Sequence, residues 1–147
     1  MKRKHTNCLV AEELDILSQF TAQNGLALSV YLDLRSTHAQ QRAADTALQL
    51  IQAHLKKSGI GDEAVEALQE DLDVIRLYLN TNGARDAEGV AMFSCAAELF
   101  WRAYPLSAPV SNAVHVGPRF DVRPLLEKLD LSCLDKIAQE KPIRVTS

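Results

Sequence analysis

The sequence predicts one α/β domain of the α+β type, in which a small mixed β-sheet of about four strands is packed by a long helical hairpin and flanking helices. Three features predict this fold. Apolar segments of strand length are separated by turn residues, and two long stretches with helical spacing are joined by a glycine-containing break. An apolar fraction of 47% in 147 residues is enough for a core, so we expect residues 1–147 to form a single domain.

The first helix is predicted over residues 10–22, because apolar residues recur there at helical spacing and Asn24-Gly25 follows as an ending signal. The next segment, 28–34, alternates in polarity and is predicted to be a strand. One face of that strand carries Leu28, Val30, Leu32 and Leu34, and the other carries Ser29, Tyr31 and Asp33.

A helical hairpin is predicted to follow this strand. Thr37-His38-Ala39-Gln40 has the capping-box pattern and opens a helix that runs to Lys57. Ser58-Gly59-Ile60-Gly61 interrupts the chain, and Asp62 caps a second helix with an apolar seam. Two long helices joined by a short glycine loop favour an antiparallel hairpin.

Three strands and two helices are predicted in the C-terminal half. The strands are Gly89–Ala96, which is apolar almost throughout and suits a central position, Leu99–Tyr104, and Ala113–Val116. Asp121 is predicted to cap a helix after Gly117-Pro118. Residues 131–147 are predicted to form a tail with a short amphipathic helix, 131–139, that ends before Pro142.

The order of these elements is accompanied by short strings with a family likeness. They are Ser29-Val30-Tyr31-Leu32, Gly89-Val90-Ala91-Met92-Phe93, Val114-His115-Val116-Gly117-Pro118 and Asp121-Val122-Arg123-Pro124-Leu125-Leu126. Over residues 10–130 the chain resembles the N-terminal domain of the archaeal and eukaryotic peptide-chain release factors and their bacterial homologues. The resemblance implies a release-factor-like domain, either standing alone or cut from a longer protein, followed by the tail.

In the release factors this domain reads the stop codon at three places, which this sequence matches only in part. Gly25 alone matches the Gly-Thr-Ser loop, Lys57-Ser58 matches half of the Asn-Ile-Lys-Ser tip, and Phe120 alone matches the Tyr-x-Cys-x-x-x-Phe string. The hydrolytic Gly-Gly-Gln loop belongs to another domain, and the sequence has no Gly-Gly pair. The resemblance therefore implies binding without stop-codon reading or peptidyl hydrolysis. The matched residues Lys57, Ser58 and Phe120, together with the basic residues Lys56 and Arg123, are the candidate ligand-binding or RNA-binding residues.

The charge distribution predicts weak or absent nucleic-acid binding. The formal net charge is −3, and the second hairpin helix begins with six acidic residues before its first basic one. Those residues are Asp62, Glu63, Glu66, Glu70, Asp71 and Asp73. Lys2-Arg3-Lys4-His5 is interpreted as a solvated terminus.

Asp33 and Asp121 are the candidate polar cluster. Asp33 ends a strand, and two carboxylates brought together there could bind a metal or act as acid and base. The simpler interpretation is that Asp121 caps a helix, Arg123 pairs with it or with solvent, and Asp33 marks the strand end. The histidines and the three cysteines lack metal-ligand spacing, so no metal and no cofactor is predicted, and the cysteines are interpreted as reduced thiols.

The sequence favours a non-enzymatic binding or adaptor domain that is associated with the ribosome or a translation-related protein. Two alternatives remain: a small hydrolase or nuclease that uses Asp33 and Asp121, and a self-associating structural protein. The chain has no signal-peptide pattern and no apolar run of membrane-spanning length, so a cytoplasmic protein without membrane contact is expected. We also expect a homodimer, because the Ala113–Val116 strand carries no lysine and the tail helix carries an apolar stripe.

Overall fold

The computed structural model describes residues 11–59, 62–81 and 83–127. The helices in these ranges are α1 (Ala11–Gln19), α2 (Thr37–Gln41), α3 (Ala43–Lys57), α4 (Asp62–Ala67), α5 (Gln69–Asn80) and α6 (Arg123–Glu127). The strands are β1 (Ala27–Asp33), β2 (Gly89–Cys95), β3 (Phe100–Leu106) and β4 (Ala113–Gly117), and a 3-10 turn at Ala96–Glu98 joins β2 to β3. The predicted tail helix at 131–139, Cys8, Cys133 and the basic start lie outside the described residues.

The strands form one sheet in the order β3-β2-β1-β4, and every neighbouring pair is antiparallel. The predicted α+β class with a four-stranded sheet is confirmed, but the sheet is antiparallel rather than mixed. The helical hairpin explains the direction. A single helix after β1 would return the chain to the end of the sheet where β1 begins, and β2 would then run parallel to β1. The antiparallel helices α3 and α5 bring it back to the end where β1 finished.

The two faces of β1 alternate as the sequence predicted, and each face is covered by a hydrophobic core. Leu28, Val30 and Leu32 are buried against the hairpin, where Ile51 of α3 and Ile75 of α5 meet them. On the opposite face, Tyr31, Ala91 and Phe93 are buried with Leu17 of α1 and Leu125 of α6. The fold therefore has three layers, and β2, which is buried at every position, lies in the middle one.

Both arms of the hairpin are interrupted, where the sequence predicted continuous helices. The first arm breaks at Arg42, between α2 and α3, and the second at Leu68, between α4 and α5. The N-cap of the first arm is Ser36, one residue before the predicted Thr37. Ser36 has extended backbone angles, and its hydroxyl accepts a hydrogen bond of 3.0 Å from the Ala39 N–H.

No helix within the described ranges is both long enough and apolar enough to span a bilayer.

Candidate functional site

Asp33 and Asp121 each form an ion pair with an arginine two residues later. The Asp33 carboxylate accepts from Arg35 at 2.6 and 2.9 Å, and the Asp121 carboxylate accepts from Arg123 at 2.9 and 3.1 Å. These arginine hydrogen bonds lower the pKa of both carboxyl groups. Both aspartates therefore stay ionised at neutral pH.

The structure does not bring these two carboxylates together as an acid–base pair. The backbone N–H of Asp121 donates to the hydroxyl of Ser29 at 2.9 Å, and the Tyr31 hydroxyl donates to the Asp121 carbonyl at 2.5 Å. Asp121 is thus attached to β1 near Ser29, which lies about 13 Å along the strand from Asp33. The interpretation that Asp121 orders the start of α6 fits this geometry, because its carboxylate also accepts from the Arg123 N–H.

The candidate binding residues taken from the resemblance lie on opposite sides of the sheet. Lys56, Lys57 and Ser58 are exposed at the end of α3, in the hairpin layer. Phe120 is 8% exposed and belongs to the other core, where its ring stacks on Phe20 at 4.8 Å. The structure therefore assigns Phe120 a packing role and does not join it to the hairpin tip in one site.

A structured turn between β2 and β3 was not apparent in the sequence, which predicted Leu99 inside a strand. Leu99 instead lies in the turn, with a left-handed backbone (φ 55°) and a side chain that is 95% exposed. The preceding residue holds the turn to the rest of the domain. The Glu98 carboxylate accepts hydrogen bonds from the backbone N–H groups of Gln23 and Asn24, the latter at 2.7 Å.

A shallow groove of about 430 Å³ lies between this turn and α5, and we call it the α5–turn groove. Its apolar lining includes Val74, Leu99, Phe100 and Trp101, and its acidic residues are Glu70 and Asp73. Trp101 is partly buried by an edge-to-face contact with Tyr78 of α5, at 5.6 Å between ring centroids. The sequence signal for this groove is the Phe100-Trp101 pair, together with the acidic residues of the second hairpin helix.

Asp71 is hydrogen-bonded to two residues of the groove lining, Ser94 and Ala96, and is 2% exposed, although the sequence analysis counted it with the acidic residues of the hairpin. Its carboxylate accepts a hydrogen bond from the Ser94 hydroxyl and another, of 2.8 Å, from the Ala96 N–H. Burial raises the pKa of this carboxyl group, and the two hydrogen bonds oppose the shift. Asp71 therefore ties α5 to the end of β2 and the start of the turn.

No group of three or more histidine, cysteine, aspartate or glutamate side chains within the described ranges is arranged to hold a metal ion. Cys95 is buried, and burial raises the pKa of its thiol, so it is a packing residue rather than a nucleophile.

Comparison with known proteins identifies a similar fold in a solved structure. No family model and no curated protein matches the chain. A solved structure titled "Archaeal protein" superposes on 86% of this chain with a TM-score of 0.60 and 13% sequence identity. The aligned region is 36% of that protein's length, so this chain spans about a third of it. At this identity the likeness shows a shared fold alone.

Proposed function

We propose that this chain is a non-enzymatic binding or adaptor domain, and that its α5–turn groove docks a basic, apolar segment of a ribosomal or other translation-related protein. One observation carries the proposal. A leucine, Leu99, is held 95% exposed at the mouth of an apolar groove on a turn fixed by hydrogen bonds. Both its solvent exposure and its left-handed backbone are unfavourable for leucine in the unbound protein.

The apolar surface at the groove extends beyond the Leu99 side chain. Leu77, on the next turn of α5 after Val74, is 66% exposed. Contiguous apolar surface with a polar rim is typical of sites for protein partners. Because Glu98 and Asp71 fix the two sides of the turn, the surface exists before a partner binds, which lowers the entropic cost of association.

The negative charge in and beside the groove indicates which class of partner it binds. Glu70 and Asp73 lie in the groove, Asp73 in an exposed ion pair with Arg76 at 3.2 Å, and the exposed Glu66 and Glu63 continue the acidic surface along α4. This field repels phosphate groups, so it disfavours direct contact with RNA. It attracts a segment that combines lysine or arginine with apolar side chains.

The association with translation has separate support. The observed order of helix, strand, helical hairpin, three strands and helix is the order implied by the resemblance to the release-factor N-terminal domain. Proteins that bind ribosomal RNA carry basic segments to neutralise phosphate, and such segments have the chemistry that this groove fits.

The groove can be tested directly because Trp101 is the only tryptophan in the chain. We expect an amphipathic peptide of leucine and lysine to shift the Trp101 emission to shorter wavelength on binding. The same peptide with glutamate in place of lysine should leave the emission unchanged. Leu99→Asn introduces a residue that tolerates the left-handed backbone. It should weaken the affinity for the lysine peptide at least about tenfold, or about 1.4 kcal/mol.

The matched control is Leu126→Asn, since Leu126 is also exposed, at 49%, but belongs to α6 on the opposite layer. It should bind the lysine peptide as the wild type does. Equal binding of the lysine and glutamate peptides, or equal affinities of the Leu99→Asn and wild-type proteins, would remove the groove from consideration as the docking site.

The translation partner needs a second measurement. With a photo-crosslinking amino acid at Leu99, we expect covalent capture of a ribosomal protein from purified ribosomes of the source organism. The same amino acid at Leu126 should capture none. Two outcomes would contradict the translation partner: no crosslink to a ribosomal protein at either position, or equal crosslinking at both. If the peptide still binds in that case, the groove remains the docking site and only the assignment of its partner is wrong.

A further inference from the structure

The sheet has two outer strands in the described chain, β3 and β4, and their free edges differ. In an antiparallel ladder, successive residues direct their backbone N–H and C=O groups alternately to the two sides of the strand. Which residues of each outer strand face outward can therefore be derived from hydrogen bonds elsewhere in the sheet.

The outward residues of β4 follow from the end of β1. The Asp33 N–H donates to the Asn112 side chain on the β4 side at 2.7 Å, and the Leu34 N–H donates to the Glu88 carbonyl on the β2 side at 3.0 Å. Odd-numbered residues of β1 thus face β4. Since Ser29 pairs with His115 and Tyr31 with Ala113, Val114 and Val116 direct their backbone groups away from the sheet.

Among the residues that the structure describes, the outer edge of β3 carries protecting groups that the outer edge of β4 lacks. The same alternation places Trp101, Ala103 and Pro105 outward on β3. Pro105 has no N–H to offer, and the Arg102 guanidinium covers the Trp101 carbonyl at 3.0 Å. The strand Ala113–Gly117 contains no proline, no lysine or arginine and no acid, so none of the usual devices against strand pairing is present there.

We propose that β4 pairs antiparallel with β4 of a second copy of this chain, with the two-fold axis passing through His115. In this register Val114 of each copy lies opposite Val116 of the other. Both outward N–H groups and both outward carbonyls of each copy are then hydrogen-bonded. Strand pairing joins the two sheets into one continuous sheet. This inference is independent of the groove at the opposite edge.

The helix above β4 favours a second copy over another partner. Leu50 and Ala53 of α3 flank Val114 in a cavity of about 210 Å³, with His54 and Lys57 beside them. Pairing would place the two α3 helices antiparallel across the axis. Their separation is set by about two strand spacings, roughly 10 Å, which is the distance at which helices pack. The apolar residues of one copy then meet those of the other, and the Lys57 side chain disfavours a basic peptide as the occupant.

The register makes a specific crosslinking prediction. His115 would face its symmetry mate in a non-hydrogen-bonded pair, with Cα atoms about 4.5 Å apart, which a disulfide can span. In a chain with Cys8→Ser and Cys133→Ser, we expect His115→Cys to form a disulfide-linked dimer under mild oxidation. The matched control is Ala113→Cys, on the same face of β4, whose symmetry mate lies about 13 Å along the partner strand and should not crosslink.

Light scattering with size exclusion gives the second measurement on the unmodified chain. We expect a dimer mass at micromolar concentration, and Leu50→Arg should raise the dimer dissociation constant at least tenfold while leaving the circular dichroism spectrum unchanged. A monomer mass up to high micromolar concentration would overturn the proposal. So would a dimer in which Ala113→Cys crosslinks as fast as His115→Cys, because that result requires another register or another surface.

Discussion

Replacing Asp71 by leucine is expected to lower the free energy of unfolding by about 3 kcal/mol. The substitution removes the acceptor for the Ser94 hydroxyl and for the Ala96 N–H in a region that is closed to solvent. Two polar groups would then be left without a partner, and each costs about 1–3 kcal/mol. Urea denaturation followed by circular dichroism measures this change.

Asp71→Asn is the matched variant, because an amide oxygen can still accept from the Ala96 N–H and the amide nitrogen can donate to the Ser94 hydroxyl. We expect it to cost less than half as much as Asp71→Leu. Similar losses for the two variants would mean that the hydrogen bonds contribute little and that the site depends on shape alone.

The pH dependence of Asp71 has a defined sign. Burial raises the pKa of its carboxyl group in the folded state, so the native protein holds this proton more tightly than the unfolded chain does. Stability from this group is therefore fully present below the unfolded pKa and is lost as pH rises through the folded pKa. The wild type should gain stability relative to Asp71→Asn as the pH is lowered through that interval. A pH-independent difference between the two proteins would contradict this assignment.

Replacing Phe93 by alanine is expected to destabilise the protein by about 4 kcal/mol, because the cavity left in the core cannot close. Phe93 is fully buried on the central strand, and its ring contacts those of Tyr31, Tyr104 and Phe120 at centroid distances of 5.9, 6.0 and 5.4 Å. Thermal and urea unfolding measure the loss.

Leu126→Ala provides the comparison for Phe93→Ala, because Leu126 lies on α6, which packs on the same face of the sheet as Phe93, but is 49% exposed. It should change the free energy of unfolding by less than about 1 kcal/mol. If the two variants were equally unstable, the aromatic cluster would not be the centre of the second core.

The elements that the sequence located well are those with a strong local pattern. The alternation of 28–34 is confirmed by the two faces of β1, and the apolar run from Gly89 is confirmed as a central strand. The glycine break after Ser58 lies where predicted, with Gly59 in the left-handed region. These patterns arise from neighbouring residues, so they do not depend on contacts with distant parts of the chain.

The errors concern features that depend on distant partners. Leu99 was placed in a strand by its apolar character, but the Glu98 hydrogen bonds to Gln23 and Asn24 hold that segment in a turn. Asp71 was counted with the acidic residues that repel nucleic acid, but the approach of β2 to α5 buries its carboxylate. Phe120 was selected from the resemblance as a ligand candidate, and the packing of Phe20 against it shows its place in the core.

The sequence alone determined the helices, the strands and the alternation of faces in this protein, because hydrophobic period and turn residues act over a few neighbours. The tertiary structure alone decided the antiparallel direction of β2 relative to β1, since that depends on the chain returning through two helices instead of one. It also decided that Asp121 is held beside Ser29, away from Asp33, and that the α5–turn groove lies beside Leu99. Such sites bring together residues far apart in the chain, and no local pattern encodes how three layers will set the distances between them.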